Sequence, residues 1–195
     1  MVKLPIKQIG EENWIDKLTE FLVERDVEVI PLGDYSQVFG HTEKTLNWTI
    51  PQQIKDYFSA FGGIKSGDFM YGLYEINKWQ VLTNSDWSFI SEYFPKNETD
   101  NYIVFADSPA TDPICFDKLS GEVYLFSHYP VRKAKVYKSF NDFLLDEIIH
   151  LQVLFLEVDF ASKEAEIEYK ANLLSGEGID FVFRYMRLSG VMPSF

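Results

Sequence analysis

Apolar positions recur at helical spacing between Glu11 and Arg25, where Trp14, Ile15, Leu18, Phe21 and Leu22 share a face, so the first element is an amphipathic helix. Val27 to Leu32 alternates only partly and ends in Pro31 and Gly33, the pattern of a short strand or an extended link, and Gly33 to Thr45 reads as a loop. Pro51 then sits where a first-turn proline belongs. Ile54, Tyr57, Phe58 and Phe61 form one face behind it, and Gly62 and Gly63 stop that second helix. Phe69 to Ile76 and Trp79 to Thr83 are dense in aromatic and β-branched residues and read as strands, whereas Trp87 to Phe94 suits a short helix before Pro95.

From Asn101 the period shortens to two. Tyr102–Ala106, Ile114–Phe116, Val123–Phe126 and Ala134–Tyr137 are short strand-like runs, with a Gly-bearing hairpin loop at Asp117 to Gly121, and they predict an antiparallel meander. Ser139 followed by Asp142 resembles a helix cap, and Phe140, Phe143, Leu144, Ile148 and Leu151 continue as a buried helical face. Ser162 to Leu174 predicts a further helix, with Glu166 and Lys170 one turn apart and Gly176 as its stop. Ile179 to Leu188 is apolar enough to pack but ambiguous in type. The expected fold class is therefore α+β, a mostly antiparallel sheet with helices packed around it, in a single domain over 1–195.

Composition supports a folded chain: 46% of residues are hydrophobic and 25% charged, too apolar for intrinsic disorder. The amino terminus lacks the apolar run of a signal peptide, and no segment approaches the roughly 20 apolar residues of a membrane span, so the expected location is cytoplasmic with no membrane partner. Cys115 is the only cysteine. It cannot form an intramolecular disulfide or a cysteine-based zinc site, and it reads as a small buried hydrophobe.

Net charge is -12, which argues against direct nucleic-acid binding, since that affinity rests on lysines and arginines that displace counterions. An acidic chain suits a basic partner. The charge is uneven. Asn84 to Glu122 carries eight acidic residues against two basic ones, Val123 to Lys138 carries Arg132, Lys133, Lys135 and Lys138 with no acid, and Ser139 to Phe195 is acidic again.

Catalytic signatures are absent. Gly62-Gly63-Ile64-Lys65-Ser66-Gly67 superficially resembles a phosphate loop but lacks the contiguous Gly-Lys-Ser and follows a helix, so it reads as a cap and turn. His41, His128 and His150 lie far apart and lack the spacing of a helical zinc site. His128 precedes Tyr129-Pro130 and could border a cleft. Asp107, Asp112 and Asp117 recur every five residues without the spacing of a calcium loop. No catalytic residue, cofactor or metal is expected, and the chain reads as a binding protein rather than an enzyme.

Several segments together carry a family pattern. A tryptophan and proline lead into an aromatic helix, Trp48-Thr49-Ile50-Pro51 to Tyr57-Phe58-Ser59-Ala60-Phe61-Gly62-Gly63. Ile103-Val104-Phe105-Ala106-Asp107 and Asp112-Pro113-Ile114-Cys115-Phe116-Asp117 follow, then Ser120-Gly121-Glu122-Val123-Tyr124 with His128 behind it, and Ser139-Phe140-Asn141-Asp142-Phe143-Leu144. This order resembles the SUKH superfamily, which groups the Smi/Knr yeast cell-wall regulators with bacterial immunity proteins. The resemblance is strongest over 48–148 and leaves 152–195 as a C-terminal helical extension. Ser108-Pro109-Ala110-Thr111 stands where the family often has a glycine-rich approach.

The resemblance implies a binding role, foremost that of an immunity protein neutralising a toxin such as a nuclease. The alternatives are a regulatory or scaffold protein of the cell-wall-regulator type and an enzyme acting on a small molecule in an aromatic cleft. A protein partner, a basic toxin domain, is the expected occupant. Loops on a rigid sheet collect binding residues, so the expected contact surface comprises Asp86, Asp107, Asp112 and Asp117 with Trp79 or Trp87 as an aromatic anchor.

Overall fold

The computed structural model of the chain describes residues 2–29, 35–62, 69, 70, 72–174 and 176–188, the last four as backbone only. Its helices are α1 (Trp14–Val23), α2 (Ser36–Leu46), α3 (Gln52–Phe61), α4 (Ser88–Ser91), α5 (Lys96–Thr99), α6 (Phe140–Leu154), α7 (Lys163–Leu173) and α8 (Phe181–Leu188). The strands are β1 (Gln80–Val81), β2 (Tyr102–Asp107), β3 (Pro113–Asp117), β4 (Val123–His128) and β5 (Val131–Tyr137). The fold is α+β, and contacts gather the chain into two compact units, 1–71 with 140–161 and 72–139 with 162–195.

The first unit is helical. On α1 the residues Trp14, Leu18, Phe21 and Leu22 are buried, and the helix ends where Asp26 turns left-handed and the Val27 amide bonds back to the Leu22 carbonyl. Ile15, expected on the buried face, is 44% exposed. The segment expected as a loop contains α2, a correction to the sequence reading. Its buried positions, Phe39, Thr42 and Leu46, are few and include a threonine, so helical periodicity is faint without the tertiary contacts that bury them. Glu43 joins α2 to α3 by accepting from the Ile50 amide at 2.9 Å and pairing with Lys55 at 2.8 Å, and the Lys55 contact lowers its pKa.

Helix α3 starts after Pro51 and ends at Gly62, as the sequence predicts. The glycine-rich stretch beyond Gly62 lies outside the described residues, as does the second half of the link expected at Val27 to Leu32. Tyr57 of α3 meets Phe140 edge-on at 5.1 Å. Its hydroxyl is buried without a hydrogen-bond partner, and burial pushes its pKa far upward. Helix α6 is buried on nearly all sides, Asp142, Asp146 and Gln152 included.

The second unit is built on the sheet, whose strands pair antiparallel in the order β1-β2-β3-β4-β5. The meander expected from Tyr102 to Tyr137 is present. The stretch Phe69 to Ile76 is not a strand: its described part contributes one bridge, Leu73 to Ala106, before a 3-10 turn at Ile76–Lys78. Trp79 to Thr83 reduces to the two residues of β1 followed by a second 3-10 turn. The aromatic density there serves burial rather than a ladder. Trp79 packs on Phe105 and Phe116, with its indole N–H donating to the Tyr74 carbonyl at 3.2 Å.

Helix α7 begins at Ser162, whose hydroxyl caps the Ala165 amide, and carries the expected Glu166–Lys170 pair at 3.1 Å. The ambiguous tail forms α8, which packs on β5; the Asp180 carboxylate accepts from the Phe183 amide and also pairs with Arg132. The basic ribbon is edge strand β5. Lys133 pairs with Glu98 and Lys135 with Glu122 at 2.8 Å, so acids distant in sequence meet each cation, and edge lysines discourage strand addition.

Gly72 has φ +79°, and a Cβ there would lie 2.2 Å from the Asp107 carbonyl oxygen. Gly72→Ala is therefore expected to destabilise the protein by about 1–3 kcal/mol or more. Gly40, inside α2 with open space around its Cα, behaves oppositely: Gly40→Ala should stabilise by about 0.5–1 kcal/mol. Urea unfolding midpoints of the two variants check both signs.

Candidate functional site

The meander sorts the expected site residues by strand end. Tyr102 pairs with Asp117 and Asp107 with Pro113, so Asp107 and Asp117 lie at opposite ends of the strands, about 16 Å apart. Asp117 closes the β3–β4 turn, its carboxylate accepting from the Leu119 amide at 2.9 Å and the Ser120 hydroxyl at 3.0 Å. Its role there is local.

Asp112 is fully buried, not a surface contact. Its amide donates to the Ser108 hydroxyl at 3.1 Å, and its Oδ1 accepts from the His128 amide at 3.1 Å and lies 2.5 Å from His128 Nδ1. One carboxylate thus ties the β2–β3 loop to the β4–β5 hairpin. His128, 41% exposed on its side chain, is oriented through Nδ1, leaving Nε2 as its remaining ring nitrogen. Trp79 is likewise internal at 3% exposed, leaving Trp87 as the tryptophan of the site.

The remaining expected residues converge. Tyr74, which donates its amide to the Phe105 carbonyl at 2.9 Å, brings its phenol oxygen close to the Trp87 indole. Burial raises the Tyr74 pKa first; the nearby Trp87 indole N–H opposes this, and the charges of Asp107 and Asp86 push it further up. Asp86, Trp87 and Asp107 therefore share one neighbourhood. The backbone that places them is specific: the Asp107 amide donates to the Gly72 carbonyl at 3.1 Å, and the Ser85 hydroxyl accepts from the Trp87 amide at 3.1 Å.

Trp87 rests on a core of Leu82, Ile90, Tyr102, Val104, Cys115 and Phe126, which gives it a rigid base. Phe89 packs against Trp87 with ring centroids 6.0 Å apart and is 45% exposed, and Tyr93 is 65% exposed. The sequence reading missed Tyr74, Phe89 and Tyr93. A signal existed: Trp87 to Phe94 carries four aromatics, and a one-turn helix that buries Ile90 leaves others outside.

Of the eight acids between Asn84 and Glu122, several are engaged: Glu98 by Lys133, Glu122 by Lys135, Asp100 by the Thr83 hydroxyl at 2.7 Å, Asp112 by His128, and Asp117 by its turn. Among the described residues Asp86, Glu92 and Asp107 have no ion pair. The patch combines carboxylates that have no ion pair among the described residues with half-exposed rings. Among the described residues no cluster of three His, Cys, Asp or Glu side chains could hold a metal, and no helix is long and apolar enough to cross a membrane. Burial raises the Cys115 thiol, which stays inside the sheet core.

A family model described as the SMI1 / KNR4 family (SUKH-1) matches residues 39–146, more than half of the chain. The match spans α2 through the first turns of α6 and includes the Asp86, Trp87 and Asp107 patch. No curated protein and no solved structure matches the chain.

Burial raises the Asp107 carboxyl above its ordinary value, so the folded state holds that proton more tightly than the unfolded chain does. The stability this contributes is present below the unfolded pKa and is lost as pH rises through the folded one. Asp107→Asn is accordingly expected to raise stability at pH 7 by only about a few tenths of a kcal/mol, because water screens a half-exposed group. The gain should vanish near pH 3, a comparison that thermal melts at the two pH values make directly.

Proposed function

The chain belongs to the SMI1 / KNR4 family (SUKH-1), and from that membership we propose that it is an immunity protein, one that binds and neutralises a basic toxin domain. The observation that carries the reading is the meeting of Asp86, Asp107 and Trp87 around Tyr74, with the exposed Phe89 packed against Trp87. A nuclease toxin must present a basic groove to its nucleic acid, and an acidic inhibitor can occupy that groove. The net charge of -12 steers such an encounter, and the aromatic rings supply the short-range contact. On this reading the chain is a cytoplasmic binding protein without catalytic activity, acting as one SUKH-like domain over 1–195 with 152–195 as its extension.

The partner to test is the product of the reading frame adjacent to this protein's own. In surface-plasmon measurements the double variant Asp86→Asn with Asp107→Asn should slow association several-fold and flatten its salt dependence, since these charges act at long range. Phe89→Ala should leave association nearly unchanged and speed dissociation about tenfold or more. Absence of a complex, tight binding of nucleic acid by the immunity protein itself, or substrate turnover that survives controls would sink the reading.

A further inference from the structure

The first unit carries a second surface that the acidic and aromatic patch does not use. A groove of about 640 Å³ runs along α1, lined by Ile15, Thr19 and Val23 on the helix, by Val27 and Val29 beyond it, and by Ala60 of α3. Ile15, Thr19 and Val23 are spaced by four, so they form one stripe about 12 Å long. Ile15 is 44% and Val23 57% exposed, unusual for β-branched side chains aligned on one helix face.

The rim is negative. Asp26 and Glu28 line the groove itself, and Asp16 and Glu20 form the next stripe around α1; all four are exposed. None of them has an ion pair among the described residues. The cations of the same stretch are engaged elsewhere: Lys17 with Glu11 at 2.8 Å, and Arg25 with Glu157 at 2.5 Å while lying over the Phe21 ring. Among the described residues that line the groove there is no lysine or arginine.

An apolar channel of this length between carboxylates matches one ligand chemistry. We propose that the groove docks an amphipathic helix of a partner protein, its apolar side chains seated between Ile15, Val23, Val27 and Val29 and its lysines or arginines facing Asp16, Glu20, Asp26 and Glu28. Charge complementarity excludes an acidic segment and an anionic lipid surface, and two turns of helix fill the available length. This surface lies in a different unit from the patch around Tyr74, so it stands or falls independently of the immunity reading.

The probe is a synthetic peptide of about four helical turns with leucines at i, i+3, i+4 and i+7 and lysines on the opposite face, beside a scrambled peptide of identical composition. Amide chemical shifts of the labelled protein should move around Ile15, Val23, Val29 and Ala60 with the patterned peptide only. Replacing Ile15 and Val23 together by serine, both exposed, should weaken its affinity about tenfold without changing the thermal midpoint. Asp16→Asn with Glu20→Gln should weaken it several-fold at low salt and little at high salt. Equal binding of the scrambled peptide, shifts mapped elsewhere, or affinity indifferent to the serine variant overturns the proposal. Self-association abolished by that serine variant, seen by light scattering, would also overturn it by making a second copy the occupant.

Discussion

Burial of the sheet on both faces is the constraint from which the second unit follows. In β2 and β3 every residue but the last is buried, so a one-sided amphipathic pattern would have left half of the ladder exposed. Leu82, Ile90, Tyr102, Val104, Cys115 and Phe126 close one side, while Trp79 packs at an angle on the stacked rings of Phe105 and Phe116 on the other. Trp79 and Leu82 come from irregular backbone, which explains why Gly72 to Asn84 is rich in strand-forming residues and yet forms almost no strand. A short ladder with well-packed faces is also a rigid platform. Its loops can then hold charged groups that a floppy sheet would bring together.

Electrostatics follows from the same topology. Strand β5 lies at the edge of the sheet, and its cations are met by Glu98, Glu122 and Asp180 from three separate stretches of sequence. Lys133 also stands near the rings of Tyr102 and Tyr124, and burial, reinforced by Glu122, pushes the Tyr124 phenol up to about 12. Each exposed pair contributes little by itself. Their effect is selective: they take up Glu98 and Glu122 of the central region, and with Asp100, Asp112 and Asp117 held by other groups, Asp86, Glu92 and Asp107 are left as its unengaged charge among the described residues. The residual field is therefore narrower than the composition implies, and it sits beside aromatic surface.

The buried Asp112 shows how a carboxylate that looks like a surface charge can be architectural. It fastens the β2–β3 loop to the β4–β5 hairpin through the backbone and ring of His128. Removing one partner of such a buried contact leaves the other unsatisfied, at a cost well above that of losing an exposed pair. Fold and site are thus coupled at one end of the sheet. The Gly72 carbonyl holding the Asp107 amide is a second instance, since the close approach that admits only glycine also fixes where the Asp107 side chain emerges.

Much of this was legible from residue order alone. Helices α1, α3, α6 and α7 and the meander follow from local periodicity and from Pro51, Gly62, Ser162 and the Asp117 to Gly121 turn, because caps, turns and alternation are short-range physics. The family pattern was legible too, through ordered segments rather than any single motif. Helix α2 was not, since its few buried positions acquire meaning only from what covers them. Trp79 and Asp112 could not be distinguished from Trp87 and Asp86 by type, because burial is a property of the assembled sheet and not of the residue. Register likewise lies beyond local pattern: only strand pairing puts Asp107 and Asp117 at opposite ends, and only the fold brings Asp86 and Asp107 both near Tyr74. Sequence by itself determined the elements and the charge; tertiary structure decided which charges remain unpaired, because ion pairs and burial join residues that are distant along the chain.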